Sequence, residues 1–411
     1  MTRGWPLRLY LLASYGLALL APLILRKRLA RGKETAGSVR AKRGLDLPPR
    51  PRGRLIWIHA VGLGEVMSLR GLIDFMAADD PKAHFLVTSS TKASAAVFAR
   101  NLPPRTTHHF LPIDAPPYRG RFLDHFQPNL CVWAEQDLWP GFVSDLAKRR
   151  IPQAVIAARM NAASFRKHQK ARGLYANLYQ AMALITAQDQ RTADHLQMLG
   201  GTGEVAVTGS LKPSAPALHC EAAELTAVRQ GIGDRFVWAV APAHPADQTV
   251  AVEAHERLCA HQPDALLIIA PRFPDRAQGA YPRRSKGQMP GPADKTWLCD
   301  TYGELGLIYR LSKAVLIGGT FSDIEGHNPW EAVNLDNAIL HGPHTDNFAT
   351  DFAMLDAADG ALSVADATDI VAALQNTGLQ AVARNARTVA ENARAQTQTL
   401  ARQLLDICDD G

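Results

Sequence analysis

Between residues 54 and 209 the chain repeats one pattern: a short, unbroken apolar run followed by a longer helix-like stretch. The runs are Arg54–Val61, His84–Ser89, Thr107–Ile113, Leu130–Glu135, Gln153–Ala158, Leu184–Ala187 and Val205–Gly209. Each is rich in branched residues and lacks the polar alternation of a half-solvated strand, so each fits a strand buried on both faces of a parallel sheet. After Lys212–Pro216 and a polar helix near Glu221–Gln230 the pattern resets, with runs at Phe236–Ala241, Leu266–Pro271, Thr296–Cys299, Ala314–Gly319 and Ala338–Gly342. A chain of 411 residues exceeds one ordinary hydrophobic core. Two doubly wound α/β domains facing each other across a cleft are therefore expected.

The order of segments predicts a membrane anchor helix with a basic flank over 1–33 and a linker over 34–53. An N-terminal Rossmann-like domain follows over 54–212, a C-terminal one over 213–380, and closing helices over 381–411. The anchor rests on Leu9–Leu25, seventeen apolar residues that as a helix would reach about 26 Å. A signal peptide or a helix packed on the protein are its rivals, but Arg26-Lys27-Arg28 follows the apolar core rather than only preceding it. The overall charge of +6 is local: Arg26 to Arg54 holds eleven Lys or Arg against Glu34 and Asp46, a net +9 that leaves −3 elsewhere. Basic residues beside an apolar run suit an anionic membrane surface, and the positive-inside rule puts the remainder in the cytoplasm. The aromatic-interleaved basic face of a nucleic-acid protein is missing, so no nucleic-acid partner is expected. Five scattered cysteines without a CxxC pair point to a reducing compartment and away from a cysteine zinc site.

Doubly wound domains bind ligands beyond the carboxyl ends of their strands, so the informative residues should directly follow the runs. After the first comes Gly62-Leu63-Gly64-Glu65, a lone carboxylate at a helix start. The third glycine of a dinucleotide fingerprint falls on Met67, which argues against NAD. Glu65 is either a first-turn acid that complements the helix dipole or a poised base, and the residues alone leave both open. Asn328-Pro329-Trp330-Glu331 reads as N-cap, N1 and N3 of a helix preceded by glycine turns, a setting that suits phosphate. Arg272 and Lys212, each just past an apolar run, supply positive charge. The histidines are scattered, HExxH is missing, and neither a metal nor another cofactor is expected. Together these features indicate group transfer from a nucleotide-activated donor.

The series His59–Val66, Glu135–Pro140, Ala158–Asn161, Val207–Lys212, Pro271–Arg276, Asp300–Leu305, Gly318–Ala332 and Gly342–Phe348 resembles, in order, the 3-deoxy-D-manno-octulosonic acid (Kdo) transferases over nearly the whole chain. The resemblance implies a GT-B fold, a CMP-Kdo donor, a lipid A precursor as acceptor, and work at the cytoplasmic face of the inner membrane in lipopolysaccharide synthesis. It implies inverting, metal-independent transfer with Glu65 as general base. Arg272, Gly319, Asn328, Glu331 and Lys212 fall at donor-binding positions, and Glu135, Asp137 and Arg159 are candidates for acceptor or cleft residues. The chain departs from the family pattern at Pro242–Asp247, where Ser-Thr-His-Glu-Gly-Glu is usual. It departs again at Phe273 in place of a histidine, Asp137 in place of a glutamate and Glu325 in place of a glycine. The competing readings are a GT-B enzyme with another nucleotide-sugar donor or acceptor and a membrane-associated binding protein without activity; the nucleotide that the protein binds separates them.

Overall fold

In the computed structural model, which describes residues 4–135, 137–201 and 203–409, the chain forms two compact units: Met1–Ala215 with Ala393–Gly411, and Pro216–Asn392. Unit one holds a parallel sheet of β1 (Leu55–His59), β2 (His84–Ser89), β3 (Thr106–Phe110), β4 (Leu130–Ala134), β5 (Gln153–Ala158), β6 (Leu184–Ala187) and β7 (Ala206–Val207), in the order β3-β2-β1-β4-β5-β6-β7. Unit two holds β8 (Val237–Ala243), β9 (Leu266–Pro271), β10 (Thr296–Leu298), β11 (Ala314–Ile317), β12 (Ala338–His341) and β13 (Ala361–Ser363), in the order β10-β9-β8-β11-β12-β13. All pairings among these strands are parallel, and helices fill both faces, which is why the central strands are apolar without alternation. The two doubly wound sheets of the expected GT-B fold are present.

Six helices of unit one bear on its chemistry: α1 (Trp5–Ala30), α2 (Ala36–Ala41), α3 (Leu63–Asp79), α4 (Lys92–Ala99), α5 (Pro116–Phe126) and α6 (Pro140–Lys148). α1 is long and apolar enough to cross a membrane, yet one face of it is part of the protein. Leu7, Leu11, Ala21 and Leu25 are buried, and Leu7 and Leu11 join the core that contains Trp57, Phe122 and Phe142. Burying a leucine stabilises by roughly 1.5–3 kcal/mol. Polar contacts fix the same face: Tyr10 donates to Asp114 at 2.8 Å, the Gly4 amide donates to Asn177 Oδ1 at 2.7 Å, and Tyr118 donates to the Ala18 carbonyl at 3.1 Å. The opposite face exposes Trp5, Leu9, Leu12, Tyr15, Leu19 and Leu23.

The segment read as a linker is ordered structure. Thr35 caps α2 and closes a capping box with Ser38, and the buried Glu34 carboxylate accepts from Lys42 at 2.6 Å, Ser38 at 2.7 Å and Arg28 at 2.8 Å. Burial alone would raise the Glu34 carboxyl, but these hydrogen bonds outweigh it and hold the group below its ordinary range. Lys42 also donates to the Ser90 carbonyl beyond β2, so the segment is stitched to the sheet. The closing helices are one helix, Leu379–Asp409, whose course passes from unit two into unit one.

Candidate active site

In each unit the strand order reverses once, between β1 and β4 in unit one and between β8 and β11 in unit two. A doubly wound sheet opens a crevice at that point, because the loops from the two adjoining strands leave toward opposite faces. The residues singled out in the sequence follow these strands.

In unit one, Gly62 is the N-cap of α3 and Glu65 its N3 residue. Glu65 Oε2 accepts from the backbone amides of Val61 at 2.9 Å and Gly62 at 3.1 Å, the reach-back arm of a capping box. The dipole-complementing role is therefore real, and it orients the carboxylate without using Oε1. A side-chain carbon placed on Gly64 would meet nothing within 4 Å, so the approach over this turn is open. Beyond β4, Glu135 has a left-handed backbone at φ 62° and bonds through its amide to Ile156. Asp137 Oδ2 accepts from Trp139 Nε1 at 3.1 Å and lies 3.7 Å from His59 Nε2. β5 ends in an irregularity at Ala157, φ 47°, whose amide donates to Thr186 Oγ1 and whose carbonyl accepts from Gln188, both at 3.0 Å. That bend places Arg159 with Glu135 around one small pocket. Glu65, Glu135, Asp137 and Arg159 thus all stand at the carboxyl ends of β1, β4 and β5. Lys212 also belongs to unit one, in a 3-10 turn packed so closely on α3 that a Cβ on Gly71 would come within 1.9 Å of the Ser214 carbonyl.

Unit two's crevice is built around a buried aspartate. Asp247, at N3 of the helix Pro245–Cys259, accepts from the amides of His244 at 2.9 Å, Gly319 at 2.6 Å and Phe321 at 3.2 Å. It ties the loop after β8 to the loop after β11. Gly318 has no room for a side chain, since a Cβ would sit 1.8 Å from the Pro242 carbonyl, and Gly319 has φ 76°. His244 and His327 meet Nε2 to Nε2 at 2.8 Å with nearly parallel rings. Burial, then His244 and Arg272, push His327 down to about 4, and burial with Arg272 lowers His244 against the pull of Asp247. Both rings are thus held neutral, with one nitrogen donating to the other. Arg272 and Arg276 each lie 5.3 Å from the centre of the Phe273 ring, and His244, Gln248, Thr249, Phe273, Arg276 and Tyr281 line a cavity of about 670 Å³.

One expectation is corrected here. Asn328 is not the N-cap of a helix: Pro329 takes that place, and Trp330–Val333 is a single turn. Asn328 Oδ1 accepts from the Trp330 amide, its Nδ2 donates to Glu331 Oε1 at 3.4 Å, and the capping box read from the spacing does not form. Proline at the cap position and a chain that leaves the helix after one turn leave Glu331 to pair with a side chain instead of backbone. Burial raises the Glu331 carboxyl, partly offset by Asn328. The longer helix end at this crevice is that of Pro245–Cys259.

The structure brings Arg272, Gly319, Asn328 and Glu331 to the strand ends of unit two. It adds roles for His244, Asp247, His327 and, in unit one, His59, residues that the sequence reading included in its motif stretches without giving their side chains a task. Their shared signal is position: each follows or ends a strand beside a reversal point. Among the described residues no three His, Cys, Asp or Glu are grouped to hold a metal ion.

Comparisons with known proteins bear on the family and the fold. The family profile described as 3-Deoxy-D-manno-octulosonic-acid transferase (kdotransferase) matches residues 25–215. The 3-deoxy-D-manno-octulosonic acid transferase of Bordetella pertussis is 30% identical over 98% of this chain and 98% of its own, and that of Haemophilus influenzae is 29% identical over 78% of each. The crystal structure of UDP-GlcNAc 2-epimerase from Neisseria meningitidis shares the fold, with a TM-score of 0.55 at 13% identity over 86% of this chain and 99% of that one.

Proposed function

The chain belongs to the 3-deoxy-D-manno-octulosonic acid transferase family and is a Kdo glycosyltransferase of lipopolysaccharide synthesis, and from that premise we propose that its donor is CMP-Kdo and its acceptor a lipid A precursor. Transfer inverts the anomeric centre. The observation that carries this reading is Glu65: a carboxylate fixed through Oε2 by two backbone amides, with Oε1 left out of those bonds, beside the open position of Gly64 at the crevice of unit one. An acceptor hydroxyl loses its proton to Glu65 as its oxygen bonds to the anomeric carbon. The bond from that carbon to the phosphate oxygen breaks, and CMP departs with the electron pair. Arg272, the Gly319 turn and the amino end of the helix Pro245–Cys259 offer the leaving phosphate the positive charge and N–H donors that it needs, which makes a metal ion dispensable. Lys212 adds charge, and Asn328 and Glu331 hold the nucleoside or sugar hydroxyls.

α1 supports a membrane setting in a particular orientation. With one face committed to unit one, the helix lies in the plane of the interface and presents Trp5, Leu9, Leu12, Leu19 and Leu23 to lipid, while Arg26, Lys27 and Arg31 meet anionic headgroups at the cytoplasmic face of the inner membrane. Nucleotide-dependent melting tests the donor, because only a ligand bound to the native state raises its stability. CMP and CTP should raise the melting temperature and UDP should not. A shift with UDP alone identifies a different donor class, and indifference to all three identifies a binding protein without this activity.

A further inference from the structure

His59 is fully buried, and its Nε2 has no hydrogen-bond partner. A buried polar nitrogen left unbonded is costly, so a specific second state that satisfies it is worth seeking. Beside that nitrogen lies Asp137 Oδ2, at 3.7 Å, a half-exposed carboxylate at the mouth of the unit one crevice. The proton on the other side of the ring can be traced. Trp57 Nε1 donates to Thr88 Oγ1 at 2.9 Å, so the hydroxyl's own proton is free to go elsewhere, and its neighbour is His59 Nδ1 at 2.9 Å. The Thr88 carbonyl, 3.1 Å from the same nitrogen, already accepts from the Ala60 amide. If the Thr88 hydroxyl donates a hydrogen bond to Nδ1, the ring's own proton resides on Nε2 and points at Asp137.

We infer that Trp57, Thr88 and His59 form a buried relay of hydrogen bonds whose task is to position Asp137, which takes a sugar hydroxyl of the acceptor in the unit one crevice. Asp137 has two partners to choose from: Trp139, which it holds at 3.1 Å, and His59, which a shift of less than 1 Å brings into bonding range. With His59 engaged, Oδ2 is fixed by the core and Oδ1 faces the crevice at a set angle. His59 and Thr88 touch no substrate; they act through Asp137. The inference rests on the transfer reading above and names the carboxylate that orients the acceptor, while Glu65 remains the group that accepts the proton.

The test uses the full-length protein in detergent, with imidazoles labelled with ¹⁵N, and a soluble acceptor analogue. Nuclear magnetic resonance should show His59 with its proton on Nε2, and Asp137→Asn should shift the His59 resonances. This part is independent of which sugar is transferred. In turnover, Asp137→Asn and Thr88→Val should each raise the acceptor KM about tenfold with kcat within about threefold and CMP affinity unchanged, since uniform binding is what they remove. The double variant should be no worse than either single, and Thr88→Ser, which keeps the hydroxyl, should restore the wild-type KM. A proton on Nδ1, additive losses, or a Thr88→Val protein that melts lower while its acceptor KM stays unchanged overturns the positioning role. If the wild-type protein transfers to no Kdo acceptor, the transfer reading fails, and the His59 tautomer and its response to Asp137→Asn still decide whether the relay exists.

Discussion

The two crevices share one topology and carry opposite chemistry. In unit one the strands beside the reversal point end in carboxylates, Glu65, Glu135 and Asp137, of which Glu65 is fixed by backbone amides and Asp137 by an indole. In unit two acids are also present, but Asp247 is buried and spends its oxygens on three amides, and Glu331, raised by burial, pairs with Asn328, which leaves neutral histidines, Arg272 and a glycine turn at the site. The difference lies in where the acid points. A carboxylate that leaves one oxygen unbonded can take a proton from a substrate, whereas one consumed by the backbone only holds loops together and leaves the crevice fit for an anion. A displacement needs one of each: a base for the incoming hydroxyl and a cradle for the departing phosphate.

Removing the base should give the largest effect. Glu65→Gln keeps the size and some of the capping bonds, so CMP affinity and melting temperature should stay near wild type while turnover falls about 100-fold or more. Steady-state kinetics beside calorimetric CMP titration checks this; an unstable variant with normal turnover would reduce Glu65 to a helix cap. Damage to the cradle should show the reverse signature. In Gly319→Ala the new methyl meets Ile324 Cγ2 at 2.9 Å on a backbone at φ 76°, so the turn must shift, and CMP affinity should fall about tenfold with a smaller loss in kcat.

The histidine pair sharpens the contrast through pH. Because His327 titrates near 4 when folded and at an ordinary 6.5 when unfolded, the unfolded chain binds its proton first, and stability drains away as pH falls from about 6.5 toward 4. His327→Gln should flatten the dependence of melting temperature on pH across that window. His108 in unit one and His255 in unit two, both pushed down to about 4 by burial, should keep part of the slope in place. The smallest effect is expected at Glu325, a side chain on a left-handed backbone at φ 63° in the turn before His327. Glu325→Gly should relieve that strain and stabilise unit two by roughly 0.5–1 kcal/mol, the backbone penalty less the entropy that glycine gains when unfolded. Thermal unfolding reads it directly, and a lower melting point would mean that the glutamate makes a compensating contact.

The sheets were legible because a strand covered on both faces has no polar alternation to hide it: Gln153–Ala158 and Leu184–Ala187 coincide with β5 and β6. β13 escaped, since Ala361-Leu-Ser is too short to register as a run, and β11 stops before the Gly318-Gly319 turn that the apolar reading included. Strand-end positions were legible wherever a motif marks them, as at Glu65 and Arg272. What failed was spacing read as local structure. Asn328-Pro329-Trp330-Glu331 has the pattern of a helix cap, but helix length is settled by what packs around it, and here the helix ends after one turn. The His244–His327 pair and the His59–Asp137 approach join residues far apart in sequence, and only the strand order brings them together.

The attachment of α1 bears on the order of events during synthesis. Its partners are made late: Asp114 follows Tyr10 by 104 residues, and Asn177 follows Gly4 by 173. At translation speeds of about 5–20 residues per second, the apolar helix waits roughly 5–35 s before the surface that covers its inner face exists. Throughout that interval the face that later packs on unit one stays uncovered beside the apolar outer face. On the membrane reading proposed above, the nascent chain meets the interface before it has a domain to anchor, and unit one assembles around a helix already in place.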